Sequence, residues 1–463
     1  MHRAFPAARL DFHNGCVPAT PAAFMTLCLE HYLDPLADLV FVEYVLNDGM
    51  EDRVMHNRRV RIYERLVRRI LDQAHSPAVI LVNVGTHGMF HDREYVSDAG
   101  KLEWRPFHHT LEDLYGAVAQ YYDLSVVSFR NAIYNLGQSS DYHFDKYLKG
   151  DFIHPNDAGH KVMADMVVHL LQEVALGLAL WPMTFADEAA ALRKLPDPMY
   201  PGVAFAQAPS RHPGFGAAAG NHPSLRRVCF HAEDFPTTVV GHDHGWEWVN
   251  EATDASPKWG FVSKTPGSAL RVRLDTSLAV VDPGALIHQA PIDSGAAAPA
   301  GGGAAAAAAA KLKHTAVVIF SYLKSYEQMG KAVFRCESGC SCNPRHADGF
   351  TELPESTIYF VQLHTTPSRN CTLVVVNDSE PGGKDTKFKV TGVMVNMVND
   401  ATKDLNEADF AEDWPQYGVG GVQTLPREFK LHVAARGTKP GDARHRLKGR
   451  GRLGPRERAA AHL

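Results

Sequence analysis

Two short segments of this chain carry side chains suited to acyl-transfer chemistry. Asp151 and His154 stand three residues apart in the run Asp-Phe-Ile-His-Pro, directly before a segment with helical spacing. Asn47 and Asp48 follow an apolar run that begins at Ala37. A carboxylate that orients an imidazole base, with an amide that donates to an oxyanion, serves hydrolases that form an acyl-enzyme. Taken singly, each segment also suits an ordinary turn.

The first 180 residues alternate apolar strands with helical segments, which predicts a parallel β-sheet covered by helices on both sides. Strands are predicted at 37–46, 77–84 and 124–129. Helices are predicted from the Thr20-Pro21 pair through Glu30, over 58–74 and 110–122, and from a cap at Asn156 or Asp157 to about Leu178. In such a sheet both segments with chemistry fall at or beyond carboxyl ends of strands, where these folds place their sites.

The second half of the chain has a different pattern. Residues 181–226 are rich in Pro and Ala and are interpreted as a linker, and residues 227–400 show short alternating β segments that predict an antiparallel β-sandwich. A low-complexity insertion over 283–313 interrupts this domain. Residues 401–463 are predicted to be mostly irregular, with a basic tail from Gly437 that is interpreted as disordered.

The seven cysteines favour disulfides, and with them an oxidising compartment, over a metal site. Five of them lie beyond residue 226, and Cys336, Cys340 and Cys342 form a cluster that suits disulfides or a metal ion. Zinc sites usually space cysteines in C-x2-C pairs and no second pair follows, so disulfides are favoured. The N-terminus lacks the apolar core of a signal peptide, and no uninterrupted apolar stretch of about 18 residues predicts a membrane span.

On the residues around Asn47 and His154, the chain resembles the SGNH/GDSL family of serine esterases. The last sequence block of that family, Asp-x-x-His-Pro, is matched by Asp151, His154 and Pro155. The third block, Gly-x-Asn-Asp, is matched by Asn47 and Asp48 with valine in place of the glycine. The second block corresponds to the segment 14–20, with Ala19 at its glycine. The resemblance covers residues 10–175 and implies a flavodoxin-like three-layer α/β/α domain.

The resemblance also implies the role of each matched residue. His154 would act as the general base and Asp151 would hold its imidazole in the productive tautomer. The side-chain amide of Asn47 and the backbone N–H of Ala19 would form the oxyanion hole, and Asp48 is assigned to substrate binding. The expected substrate is a small ester or an acylated polysaccharide, including carbohydrate acetyl esters. No cofactor, metal or nucleic-acid partner is expected.

The nucleophile of that family is missing. It stands in a Gly-Asp-Ser block after the first strand, and the 13 residues before Asn14 contain no serine. Two interpretations compete: a catalytically inactive carbohydrate- or surface-binding protein, or a chain truncated before its first strand, signal peptide and nucleophile. Truncation is favoured, because loss of a strand from between the second and third would leave unpaired backbone groups at about 1–3 kcal/mol each. The complete form is then expected to be extracellular or in the secretory pathway.

The second domain resembles, more weakly, the β-rich C-terminal extension of some plant, algal and fungal proteins of the same type. Trp246 and Trp248 alternate in a predicted strand and therefore share one face. On an exposed face these two rings could stack on a sugar, whereas buried rings would belong to the core. Both interpretations remain open from the sequence.

Overall fold

A computed structural model describes residues 1, 3–48, 58–84, 94–96, 102–104, 111–137, 146–149, 154–187, 195–200, 227–252, 257–277, 314–351 and 356–399. The predicted insertion at 283–313, the region 401–463 and most of the linker at 181–226 lie outside these residues. The described chain forms an α/β part up to residue 187 and a set of antiparallel sheets from residue 227 onwards.

The α/β part is built on the parallel sheet that the sequence predicts. Three strands lie in the order β1-β2-β5, and every pair in this sheet is parallel. Their bounds are β1 Leu39–Val42, β2 Ala78–Asn83 and β5 Ser125–Ser128, and a short antiparallel hairpin joins β3 Glu94–Val96 to β4 Leu102–Trp104.

Helices cover both faces of this sheet. They are α1 Ala22–Tyr32, α2 Val45–Asp48, α3 Arg58–Leu71, α4 Leu111–Tyr121, α5 Phe129–Gly137 and α6 Asp157–Leu180. One face, here called the α3 face, presents Val42, Val79 and Leu81 to α1, α3 and α4. The opposite face, called the α6 face, lies under α5 and α6, where Phe129, Ile133 and Met163 cluster with Val84.

Strand β1 is shorter than the apolar run that predicts it. The run reaches Leu46, but the strand ends at Val42 and residues 45–48 turn into the single helical turn α2. The cause is Glu43, whose Oε1 accepts from the backbone N–H of Leu46 at 3.0 Å and folds the chain over. Asn47 therefore lies in a helical turn beyond the strand, whereas the prediction placed it at the strand's end.

The N-terminus of α1 is capped over a long distance. The predicted cap, Thr20, donates its hydroxyl to the Val17 carbonyl at 2.7 Å, and the N-cap position belongs to Pro21. The Asp48 carboxylate accepts from the Ala22 N–H at 3.0 Å instead. By contrast, α6 begins as predicted, with the Asn156 side chain accepting from the N–H groups of its first turn.

The predicted sandwich is present as two facing antiparallel sheets. The strands are β6 Arg227–His231, β7 Val239–His242, β8 Trp246–Asn250, β9 Trp259–Ser263, β10 Ala269–Leu274, β11 His314–Lys324, β12 Lys331–Ser338, β13 Arg345–Asp348, β14 Thr357–Thr365, β15 Cys371–Asn377 and β16 Phe388–Asn399. One sheet has the order β13-β12-β15-β10-β7, and the other has the order β14-β11-β16-β9-β8 with β6 beside β16. Their inner faces share one apolar core.

Helix α1 joins the two parts. Phe24 and Leu27 pack against Val317, Ile319 and other apolar side chains on the outer face of the second sheet. The Cys28–Cys229 disulfide crosses the same junction and links residues 201 positions apart. The sandwich is therefore held to the α/β part covalently as well as by packing.

The cysteine cluster is resolved as disulfides. Cys336 pairs with Cys342, and Cys340 pairs with Cys371. Three sulfur atoms of this cluster are the one group of candidate metal ligands in the described residues. As disulfide sulfurs they are not thiolates, which are the form that binds metal. The predicted disulfides of this cluster are confirmed.

Helix α6 changes the expectation about membrane spans. Its 24 residues are long and apolar enough to cross a bilayer on length and composition alone, and none of its most apolar window is buried. The helix contains no uninterrupted apolar stretch of the length expected for a span, because isolated polar residues such as Glu173 break the run. Such a helix is weak evidence for a span, since single apolar helices also occur in proteins without one.

Candidate active site at the carboxyl edge of the parallel sheet

The carboxyl ends of β1 and β2 are tied together by Glu43. Its carboxyl group accepts backbone hydrogen bonds from Leu46 and Val45 in α2 and from Val84, which follows β2. Burial raises the pKa of Glu43 to about 8, with a smaller contribution from the nearby Asp48. Glu43 was not among the predicted site residues, although a single acid inside an apolar run is a signal that could have found it.

Asp48 is a structural residue, which corrects its assignment to substrate binding. Its side chain is 1% exposed, and its carboxylate accepts from the Ala22 N–H and from the Tyr115 hydroxyl. Its backbone carbonyl accepts from Arg59. Burial raises the pKa of Asp48 to about 7, against the lowering effect of these hydrogen bonds. The residue fixes α2 to α1 and α4, and has no surface to offer a ligand.

Asn47 stands next to this anchor and is half-buried in α2. The turn is closed by the Asp48 N–H, which donates to the Tyr44 carbonyl at 2.7 Å. Because both the preceding Glu43 and the following Asp48 are fixed by hydrogen bonds, the backbone that carries Asn47 is rigid. Rigid support is what an oxyanion donor requires.

Ala19 has a left-handed backbone, with φ of 59°. Alanine avoids this region because its Cβ crowds the following carbonyl, at a cost of about 1–2 kcal/mol. The Thr20 hydrogen bond to Val17 holds the turn, and the Ala19 carbonyl accepts from Ile358 of the sandwich at 3.5 Å. Ala19, expected from the motif resemblance to stand at a glycine position, thus has a glycine-like conformation.

His154 lies on the surface, in the bend directly before α6. Its carbonyl accepts from the Lys149 N–H at 2.7 Å, and Leu148 and Pro155 form an isolated bridge across the same loop. The Asn156 amide also donates to the Lys146 and Leu148 carbonyls and so closes the loop on the helix cap. Asp151, its predicted partner, lies outside the described residues.

No nucleophile is apparent among the serines that the structure describes on the α/β sheet. Ser128, at the end of β5, accepts from the Asn131 N–H and caps α5. Cys16 is a free thiol near Glu43, but desolvation raises its pKa and the Glu43 charge adds to the rise. A raised pKa disfavours the reactive thiolate. Cys16 is therefore unsuited to act as a nucleophile.

The tryptophans of the sandwich divide into a core residue and a rim pair. Trp246 is 1% exposed and packs in the sandwich core, so its assignment to sugar stacking is corrected. Trp248 is half-buried and stacks on Trp259, with ring centroids 5.6 Å apart and planes within 8°. Trp259 is exposed at the start of β9. The sequence missed this pair because the two rings meet across a hairpin.

The pKa of Glu43 leads to a stability prediction. The folded carboxyl retains its proton up to about pH 8, whereas the unfolded chain releases it near pH 4.5, so stability falls as pH rises through that window. The slope is about 1.4 kcal/mol per pH unit where the two states differ by one full proton. Glu43→Gln is expected to flatten this fall, measured as the melting temperature between pH 5 and 8. Glu247→Gln, at an exposed position, is the control, and equal slopes in all three proteins would contradict the raised pKa of Glu43.

The fold defines a two-part protein in which a helix-covered parallel sheet precedes an antiparallel β-sandwich. The sequence matches no family model and no curated protein.

Among solved structures, a two-domain esterase (CEX) active on acetylated mannans, co-crystallized with mannopentaose, has a TM-score of 0.50 at 15% identity. The match covers 85% of this chain and 81% of that chain. A second crystal structure of the two-domain esterase (CEX) gives a TM-score of 0.48 at 15% identity, over 86% of this chain and 84% of that chain. The chain therefore shares the fold of a two-domain esterase.

Proposed function

We propose that this chain carries the scaffold of an SGNH-type carbohydrate esterase that removes acyl groups, including acetyl groups, from a polysaccharide. The observation that carries the proposal is the left-handed backbone of Ala19, at the place where the family motif has glycine. The shared fold with an esterase active on acetylated mannans supports the substrate class. Neither the Ala19 conformation nor the shared fold depends on the roles assigned to His154 and Asn47.

In the proposed mechanism His154 takes the proton of a serine hydroxyl as the serine oxygen attacks the ester carbonyl. Asp151 orients the imidazole, and the Asn47 amide and Ala19 N–H donate to the tetrahedral oxyanion. The alcohol leaves with the proton from His154, and water then cleaves the acyl-serine by the same path in reverse order. Asn47 would contribute through a fixed amide, because Glu43 and Asp48 hold its helical turn.

The serine of this mechanism is proposed to belong to an upstream segment of the polypeptide. The serine and cysteine positions described at the site do not offer an activated substitute, and among the described residues no strand pairs with the outer edge of β1. The three disulfides favour an oxidising compartment, and we infer an extracellular or secretory location.

Hydrolysis of p-nitrophenyl acetate and of acetylated mannan tests the proposal. The chain of 463 residues is expected to show no hydrolysis above buffer, whereas a chain extended by the in-frame upstream sequence is expected to release acetate from both. Retention of the short chain on mannan, with no hydrolysis by the extended one, would favour the alternative of an inactive binding protein. The rim pair Trp248 and Trp259 is where such a protein would stack on sugar rings.

A further inference from the structure

The chain contains two sequons for N-linked glycosylation, and both lie in the sandwich. They are Asn370-Cys371-Thr372, which leads into β15, and Asn377-Asp378-Ser379, which begins at the last residue of the same strand. The pattern Asn-x-Ser/Thr, with any residue except proline in the middle, is the acceptor sequence for N-linked glycans. Because both segments satisfy the pattern, only their surroundings in the folded protein distinguish the two asparagines.

Asn377 is held inside the sandwich by its own side chain. It is 1% exposed, and its Nδ2 donates to the Ser263 hydroxyl at 3.1 Å and to the Thr386 carbonyl at 2.8 Å. Its Oδ1 accepts from the Ser379 N–H at 3.1 Å. A side-chain amide nitrogen has two hydrogens, and both are used here. A glycan on Nδ2 would replace one of them, break a buried hydrogen bond and need space between packed strands.

The hydroxyl of this second sequon is fixed as well. Ser379 is 7% exposed, and its Oγ accepts from the Lys331 N–H of β12 at 3.0 Å. The Asn377 N–H donates to the Ser268 carbonyl at 3.0 Å on the other side. Both ends of the sequon are therefore bonded into the sandwich, and a chain that received a glycan at Asn377 before folding would lose these contacts.

Asn370 has the opposite surroundings. It is exposed in the turn between β14 and β15, and among the described residues its side-chain amide makes no hydrogen bond. Its backbone N–H donates to the Ser368 hydroxyl at 3.2 Å. The Ser368 N–H donates in turn to the Thr276 hydroxyl at 2.9 Å, and the Thr276 N–H donates to the Ser368 carbonyl at 2.7 Å. The backbone thus fixes the turn and leaves the Asn370 amide to solvent.

The turn at Asn370 adjoins the disulfide cluster. Cys371 pairs with Cys340, and Gly339 approaches the Asn370 carbonyl so closely that a Cβ would not fit between them. The φ of Gly339 is 76°, in the region that favours glycine. Cys371 and Thr372 are 0% and 6% exposed. The asparagine of this sequon is therefore at the surface, whereas the two residues that follow it are buried once β15 has joined its sheet.

We propose that Asn370 is the N-glycan acceptor of this chain and that the folded protein carries no glycan at Asn377. In the transfer, Nδ2 of Asn370 bonds to C1 of an oligosaccharide carried on a lipid diphosphate. The bond from C1 to the diphosphate oxygen breaks, the lipid diphosphate leaves, and Nδ2 loses one proton to a base of the transferase. Because Thr372 is part of the recognised sequence and is buried after folding, the transfer precedes closure of the Cys340–Cys371 disulfide. The proposal rests on the secretory location inferred above and not on ester hydrolysis.

Expression of the 463-residue chain behind a cleavable signal peptide in yeast cells tests the assignment. Peptide-N-glycosidase F removes N-linked glycans and converts the glycosylated asparagine to aspartate, so mass spectrometry of peptides locates the site. We expect one glycan, at Asn370, and its complete loss in Asn370→Gln. Thr372→Ser preserves the first sequon and is the matched control for a change in this turn, so it should keep the glycan. Ser379→Ala removes the second sequon and should also keep it.

Cleavage of the signal peptide, read from the N-terminal mass, shows that the chain entered the secretory pathway. An unmodified chain after cleavage, a glycan in Asn370→Gln, or secreted protein with a glycan at Asn377 overturns the proposal. A glycan at Asn377 that is confined to retained protein supports it, because that chain cannot fold. Since the signal peptide is supplied, none of these results bears on the proposed esterase function. Glycosylation at Asn370 without ester hydrolysis in the extended chain would refute that function alone.

Discussion

Replacing both Cys28 and Cys229 by serine is expected to destabilise the protein by about 4–5 kcal/mol. The disulfide closes a loop of 201 residues, and the loss of loop-closure entropy in the unfolded chain grows with loop length. The bridge also joins α1 to β6, at the junction where Phe24 packs against the sandwich. We expect chemical denaturation to change from one transition to two, as the parts begin to unfold separately.

The control for this prediction is the Cys336→Ser, Cys342→Ser double variant. That disulfide closes a loop of only 6 positions, so its removal should cost roughly half as much on the same entropic argument. Denaturation by guanidinium, followed by fluorescence and circular dichroism, measures both losses. Equal losses, or a single transition of unchanged midpoint without the Cys28–Cys229 bridge, would show that packing alone holds the junction.

The second large effect is expected at His154. In an extended chain that hydrolyses p-nitrophenyl acetate, His154→Ala should lower kcat by about 10⁴-fold or more, the usual consequence of removing the base of a serine triad. The bend that carries the residue should survive, because it is held by backbone bonds and by the Asn156 amide. The melting temperature is therefore expected to stay the same while the rate falls.

His160→Ala is the matched control, since this histidine is exposed on the second turn of α6, six residues further on. It should retain full activity. Retention of activity by His154→Ala would remove that residue from the chemistry and leave the Asp-x-x-His match without a catalytic meaning. A comparable loss in both variants would point to a disturbed helix instead of a lost base.

Local patterns predicted much of the fold. The three parallel strands were found because each is a short apolar run, and α6 begins at the predicted cap because the Asn156 oxygen bonds to N–H groups two and three residues away. The sandwich strands were found from alternation. In each case the strand or helix is determined by an interaction between residues close in sequence, or by the burial of one of its faces.

The predicted site residues also come from local patterns. Motif spacing predicts roles for Asn47, His154 and Ala19, and these roles stay predictions; the left-handed conformation of Ala19 is compatible with a glycine position. The position of Glu43 inside an apolar run marks it as unusual, but its contact with the backbone beyond β2 depends on a strand more than 30 residues away. The role of Asp48 was misassigned because the groups that bury it, Ala22 and Tyr115, are 26 and 67 residues away.

The sequence by itself thus determined which segments become strands and helices, and it supplied the prediction of which side chains would carry ester chemistry. Only the tertiary structure decided which cysteines pair across the junction and which tryptophan is buried. The reason is physical: backbone propensity and side-chain alternation act over a few residues. Disulfide pairing and ring stacking depend on groups brought together from distant parts of the chain.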